Sequence, residues 1–431
     1  AGTTFKVNQA DLGAGGTDSA VTGHTSGSDV LMAMDTALNL TSTVLTSVEK
    51  LAAGKSTATT FTVDVADLVA SGSVVGSTGV DTLVVADSTI DLSSITLSSV
   101  EIIKAGTASA TTFTLGSNLA TLGTSGQIVG SSGNDTLTTT GASLDLSSAA
   151  VSSVEILSGS TNGTTFKLNQ ADLVASGSLV GDATATTDIV IAMDTQLNLS
   201  STAASEIDKL QAGKSTATTF TIDVADLTTS GATIAGSSGN DTLVVNDTVI
   251  DLSSMTLTSV ETVSAGKSGG TTFTLSAAEL ASVATILGVS GTGSVDTLVA
   301  NTSTIDLTST TLSSIEVLKA NTTDDTTFTL DQSDLTALTS ITGNSGNDEL
   351  KANTTSVDLR STSLSSVEKL TAGKSTATTF TIDLADLSST TAGTVTGSSG
   401  SDTLVVMDTA IDLSSTTSTT LVSVEIGRAH V

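Results

Sequence analysis

The chain has 431 residues, with 44 acidic against 14 basic side chains, a formal charge of −30, no cysteine, no proline and no aromatic residue except eight phenylalanines. Such a charge repels nucleic acid and anionic membrane surfaces and attracts cations, and the lack of cysteine removes any disulfide framework or thiolate metal site. No apolar stretch approaches the roughly 18 residues that span a bilayer, and the Val, Leu, Ile and Thr content is that of strands with thin side chains.

The eight phenylalanines each close a Thr-Thr-Phe triplet, at Phe5, Phe61, Phe113, Phe166, Phe220, Phe273, Phe328 and Phe380, at near-even spacing. Self-similarity at a fixed period, here about 53 residues, marks a stacked array. The predicted organisation is one continuous repeat array over 1–431, with repeats near 1–56, 57–108, 109–161, 162–215, 216–268, 269–323, 324–375 and 376–426. Residues 427–431, Gly-Arg-Ala-His-Val, have no counterpart upstream, and Glu425 to Val431 match an in-frame translation of a common sequencing-library adapter. They are expected to be a non-native tail on a fragment of a longer protein.

Along each repeat the next landmark is an aspartate followed two positions later by an aliphatic residue: Asp29, Asp81, Asp135, Asp188, Asp241, Asp296, Asp348 and Asp402. Ten positions on stands Asn39, Asp91, Asp145, Asn198, Asp251, Asp306, Asp358 or Asp412, flanked by apolar residues. Ten further on comes Glu49, Glu101, Glu155, Asp208, Glu261, Glu316 or Glu368, with Glu425 displaced by an insertion. Length varies instead between Phe and the landmark Asp, from the short span Phe61 to Asp81 up to the long one Phe5 to Asp29. This variable stretch contains segments such as Asp64-Val65-Ala66-Asp67-Leu68, read as a loop or short helical turn.

Short apolar clusters separated by Gly, Ser, Asn and Asp predict strands and turns rather than helices. Slots centred near Leu83, Leu92, Ile102, Phe113, Leu119 to Leu122 and Ile128 give six per repeat. The expected fold class is all-β, a parallel β-solenoid of the β-roll or β-helix kind, with coils of about 18 residues and three coils per repeat. Each ring should then fill a wider part of the core, and the body should be a rod roughly 115 Å long.

Five repeats carry Gly-x-x-Gly-x-Asp-x-Leu: Gly76 and Gly79 before Asp81, Gly130 and Gly133 before Asp135, Gly236 and Gly239 before Asp241, Gly343 and Gly346 before Asp348, and Gly397 and Gly400 before Asp402. The pattern resembles the RTX nonapeptide, and the Ser/Thr-rich strands with Val-Glu-aliphatic blocks resemble bacterial surface proteins of the S-layer and large-adhesin type. The RTX resemblance implies Ca²⁺ held by the Asp81, Asp135, Asp241, Asp348 and Asp402 carboxylates with turn carbonyls of Gly76, Gly130, Gly236, Gly343 and Gly397. The sequence departs from that family in its second glycine, in the Asp188 repeat, which lacks both, and in carrying the motif once per repeat rather than in tandem. The competing reading gives the glycines a φ > 0 turn and the aspartates a bond to their own turn backbone.

Gly54-Lys55-Ser56-Thr57 and its copies at Gly213 and Gly373 lack the earlier glycine of a phosphate loop and read as surface turns. His24 replaces a turn glycine and is expected to be exposed. Every landmark carboxylate recurs, whereas catalysis needs one asymmetric constellation, so no enzyme activity, catalytic residue or organic cofactor is expected. The expected role is a structural or adhesive segment of a secreted, extracellular bacterial surface protein, an S-layer, adhesin shaft or filament, associated with Ca²⁺. Its partners would be further copies or neighbouring repeats, not nucleic acid or membrane. The alternatives are an ice- or glycan-binding Thr-rich face, in which Thr59-Thr60-Phe61-Thr62 would make a sparse array, and, remotely, a β-helical polysaccharide lyase.

Overall fold

The structure is a computed structural model that describes residues 2–13, 19–116, 122, 126–184, 187–226, 230–291, 293–383, 386, 393–407 and 420–428. The chain is all-β, a parallel β-solenoid. Its short strands alternate a buried and a solvent-side position, as in Thr60–Val63 and Thr82–Val85, which is the period-2 pattern of a half-buried strand. Two compact units are distinguished, Ala1–Lys214 with Ala225–Thr229, and Ser215–Val224 with Ser230–Val431.

Strands inside each sheet bond in parallel register to the strand one coil before and the strand one coil after, and the end strands of a sheet bond to one. The step between partners is as short as Thr82 to Ile102 and as long as Thr4 to Val30. In the first unit three sheets share the coil. One contains Thr60–Val63, Thr82–Val85, Ile102–Ala105 and Gly126–Val129; a second contains Thr89–Asp91, Thr112–Leu115, Thr136–Thr139 and Ile156–Ser158; a third contains Thr4–Val7, Val30–Ala33, Lys50–Ala53, Ser73–Val75 and Thr96–Ser98. Leu83, Ile90, Leu97 and Ile103 therefore fall on the first, second, third and again the first sheet, so that Leu83 to Ile103 is one circuit, and each is buried.

The expected coil of about 18 residues with two strand slots is thus corrected to a longer coil with three. One repeat is not a whole number of coils. Phe61 pairs with Leu83, Leu83 with Ile103 and Ile103 with Ile128, while Phe113 belongs to the next sheet, against Ile90 and Leu137. A repeat therefore advances about two and a third circuits, and its phenylalanine moves to a new face. Seven of the rings, from Phe61 to Phe380, have no exposed surface and Phe5 is half-buried.

Some coils replace a strand by a helical turn. In the first unit the 3₁₀ turn Val65–Asp67 packs between Thr43–Thr46 and Thr89–Asp91, and Gln170–Asp172 packs between Ala149–Ser152 and Gln196–Asn198. In the second, α1 (Ala277–Ser282) packs between Thr256–Thr258 and Thr304–Asp306, and α2 (Gln332–Ala337) between Thr311–Ser313 and Ser356–Asp358. The length-variable segment of the sequence is therefore the insert that fills one strand slot. Its buried leucine, as at Leu280 and Leu335, continues the apolar column of the face.

Candidate functional site: a buried carboxylate relay between coils

The landmark aspartates are the most deeply buried charged groups, with Asp29, Asp81, Asp135, Asp188, Asp241, Asp296 and Asp348 fully enclosed. Asp135 shows their chemistry. Its Oδ1 accepts the Thr111 N–H at 2.6 Å from the preceding coil, and its Oδ2 accepts the Ser131 N–H at 2.6 Å and the Ser131 hydroxyl at 2.9 Å from its own turn. Its N–H donates to Glu155 Oε2 at 2.8 Å, one coil further on, and its carbonyl accepts the N–H groups of Glu155 and Ile156. One residue thereby ties three consecutive coils.

The same bonds recur down the chain. The residue before each Thr-Phe pair, from Thr3 to Thr378, donates its N–H to the landmark Asp at 2.5 to 2.7 Å in all eight repeats. The third landmark accepts the Asp N–H in seven: Glu49, Glu101, Glu155, Asp208, Glu261, Glu316 and Glu368. In the last repeat the insertion shifts the register by one, so that Asp402 lies opposite Val424 and Thr403 opposite Glu425. Two N–H donors favour the charged carboxylate. The Thr3 and His24 N–H groups hold Asp29 below the usual carboxylate range; for Asp402 burial pushes upward, but the Ser398 and Thr378 N–H groups outweigh it and the net shift is down.

The glycines answer to this relay. A Cβ on Gly76 would lie 1.7 Å from the Ser99 carbonyl oxygen and 2.7 Å from Asp81 Oδ2, and one on Gly79 would lie 2.3 Å from the Ala58 nitrogen. Close backbone approach, not the expected positive φ, selects glycine here. Positive φ falls instead on a residue two before each third landmark: Ser47, Ser99, Ser153, Glu206, Ser259, Ser314, Ser366 and Ser423, at 51 to 56°. The same approach exists where sequence spacing hid it. Gly181 and Gly288 stand seven and eight positions before Asp188 and Asp296, and a Cβ on either would come within 2.0 Å of a carbonyl oxygen across the coil. His24 sits in the Ser77 slot, beside Gly23 rather than in place of a glycine; its ring is exposed and its N–H donates to Asp29.

The five aspartates implied as calcium ligands each stand at the start of a strand and are engaged with backbone. Asp81 opens a strand of the first sheet and Asp135 one of the second, so their turns lie on different faces. Each carboxylate already accepts N–H bonds on both oxygens, and Gly76, Gly130, Gly236, Gly343 and Gly397 serve close approach. Among the described residues no group of three or more His, Asp or Glu is arranged to hold a metal ion. The second landmark closes an exposed Asx turn, as where Asp91 Oδ1 accepts the Ser93 N–H at 2.8 Å; Asp412 lies outside the described residues, as does the tail from Ala429, while Gly427 and Arg428 continue the strand Val424–Arg428. Gly54-Lys55-Ser56-Thr57 is an exposed turn, as expected.

A second set of buried carboxylates was not foreseen. In each helical insert the third residue reaches back to the cap in a capping box: Asp67 Oδ2 accepts the Asp64 N–H at 2.9 Å, Asp172 Oδ2 the Asn169 N–H at 2.8 Å and Asp334 Oδ2 the Asp331 N–H at 3.0 Å. Burial pushes Asp67 up to about 7, Asp334 up to about 7 and Asp172 up to about 6; neighbouring carboxylates add to this, and the cap N–H, joined at Asp172 by the Val151 backbone, opposes it. The recurring [Asp/Asn/Ser]-x-x-[Asp/Glu]-Leu was the signal, legible as a capping box but silent about depth.

The chain matches no family model, no characterised protein and no solved structure to which it was compared.

Proposed function

We propose that this chain is a structural or adhesive segment of a secreted bacterial surface assembly, whose repeats serve to hold coils together rather than to transform a substrate. The observation that carries this reading is the Thr-to-Asp-to-Glu relay. The acids that recur in every repeat, which would be the first candidates for catalysis or metal binding, are spent on backbone N–H groups between successive coils. Partners would be further copies or neighbouring repeats, with Ca²⁺ associated with the acidic chain. Electron microscopy of the purified chain with and without Ca²⁺ tests this: the reading expects ordered end-to-end or lateral assemblies, and dispersed particles under both conditions would count against it.

A second reading is favoured by one feature of the second unit. Thr219, Thr242, Thr262, Thr285 and Thr311 stand side by side in parallel register on one sheet, an unbroken hydroxyl rank where the sequence promised a sparse one. Adjacent members are about 4.8 Å apart. Beside it runs the uncharged rank Thr221, Val244, Ser264, Leu287 and Ser313. Such a face suits an ordered hydroxyl lattice, ice or a crystalline glycan. Thermal hysteresis and cosedimentation with insoluble polysaccharide, both abolished by Thr262→Lys, would support it; neither effect in the parent chain would remove it.

A further inference from the structure

The helical inserts carry a group that the relay does not use. Asp67 is 2% exposed, and its Oδ1 is buried with no hydrogen-bond partner while Oδ2 takes the Asp64 N–H. Around it stand Asp64 on its own turn, which caps the Ala66 N–H, and Asp87, which accepts the Val65 N–H at 2.7 Å. Of the strands packed against this turn, Thr43–Thr46 brings no titratable side chain and Thr89–Asp91 brings Asp91, exposed and engaged with Ser93. Three acids thus converge on one turn with no basic side chain among them.

The arrangement recurs in other inserts. Asp172 is 2% exposed, with Asp194 accepting the Gln170 N–H beside it, and the strands packed on it, Ala149–Ser152 and Gln196–Asn198, carry no titratable group. Asp334 is 2% exposed and faces Asp331 and Asp306; of its packed strands, Thr311–Ser313 has no titratable group and Asp358 of Ser356–Asp358 is paired with Arg360. A buried carboxylate that gains only one or two N–H donors and is pressed by further carboxylates is less costly as the neutral acid.

We propose that Asp67, Asp172 and Asp334 are held as protonated carboxylic acids in the folded coils, so that the inserts form a pH-responsive set of pins, tight in mild acid and loosened as the medium becomes alkaline. The sign follows from linkage. When the folded state retains a proton that the opened turn releases, opening becomes easier as pH rises, by up to tenfold per unit between the two titrations, here between about 4 and about 7. Above that window the penalty is complete and opening no longer changes.

The test is hydrogen exchange by mass spectrometry on the full chain, in EDTA so that no divalent cation can replace the proton, between pH about 5 and about 8. After correction for intrinsic exchange, the opening constant of the segment Asp64–Gly72 should rise at least about tenfold across this range, and Asp67→Asn, which keeps an acceptor for the Asp64 N–H, should flatten the rise to under about threefold. A pH-independent opening constant in the parent chain, or a D67N variant that keeps the parent slope, would overturn the proposal. Carboxyl-carbon NMR of aspartate-labelled parent protein gives a reading that needs no variant. Carboxyls titrating near pH 6 to 7 support it, and titration of every aspartate below about pH 5 overturns it.

Discussion

At the residue scale, the residue whose carbonyl faces the glycine ahead of each landmark Asp, serine in all repeats but the one with Glu206, sits in left-handed backbone, a conformation that costs a non-glycine residue about 1–2 kcal/mol. Ser153 is exposed with φ 51°, and its carbonyl oxygen lies 1.6 Å from where a Gly130 Cβ would stand. Glycine at Ser153 would relieve the strain but lose about 0.5–1 kcal/mol to the freedom of the unfolded chain, so Ser153→Gly is expected within about 1 kcal/mol of neutral. A β-branched residue gains nothing in exchange: Ser153→Val should lower stability by about 2 kcal/mol or more, read by denaturant unfolding. Equal effects of the two substitutions would show that the left-handed backbone imposes no selection there. The ion pairs carry less weight. Lys167 with Asp145 joins neighbouring coils at 2.8 Å, but both side chains are more than a third exposed, so the pair is worth about 0–1 kcal/mol.

At the scale of the element, two kinds of buried group hold a coil to its neighbours, the ring and the carboxylate. Phe113 is wholly enclosed between Ile90 and Leu137 of adjacent strands. Phe113→Ala should cost about 3–5 kcal/mol, seen as early exchange confined to the coils around residue 113 rather than to distant ones, because each coil contacts only its neighbours. Asp135→Ala removes the acceptor of the buried Thr111 N–H and of the Ser131 N–H and hydroxyl. The Ser131 hydroxyl keeps the Ser109 carbonyl, so the two backbone N–H donors are orphaned, and at about 1–3 kcal/mol each they predict a loss of about 2–6 kcal/mol that should be the same in Ca²⁺ as in EDTA. A loss that appears only in Ca²⁺ would assign Asp135 a metal role instead.

At the scale of the whole molecule, the two classes of carboxylate pull stability in opposite directions with pH. Asp29 and Asp402 titrate below the ordinary value of 3.8, so their contribution is full above it and is lost as pH falls through the lower, folded value. Asp67 and Asp334 titrate near 7 and Asp172 near 6, so the unfavourable cost of charging them grows between about 4 and 7. Thermal melting should therefore be highest near pH 5, lower near pH 8 and lowest below pH about 3. The net charge of −30 adds self-repulsion at neutral pH. Raising salt from about 0.01 M to about 0.3 M screens this repulsion and should raise the melting temperature at pH 8. A melting curve that rises steadily from pH 5 to 8 at both salt levels would contradict this balance.

The repeat, its strands and the parallel stacking were legible in the residues from the alternating apolar pattern and the recurring landmarks, whereas the length of a circuit was not: the step from Asp81 to Glu101 is one turn of the coil, longer than the turn of about 18 residues that strand counting suggested. The use of Asp81 and Asp135 as backbone acceptors was half-legible: the competing turn reading gave the aspartate its own turn, but the bond to Thr59 or Thr111 one coil away is a long-range contact that spacing does not show. The sequence by itself determined which apolar residues face inward and where the inserts fall, but not that Asp67, Asp172 and Asp334 are buried with them. Only the tertiary structure decided that a repeat advances by a fractional number of circuits, since nothing in a linear period states how many sides the coil has. That fraction sends Phe61 and Phe113 to different faces, puts the turns of Asp81 and Asp135 on different sheets, and brings threonines from different slots into one rank.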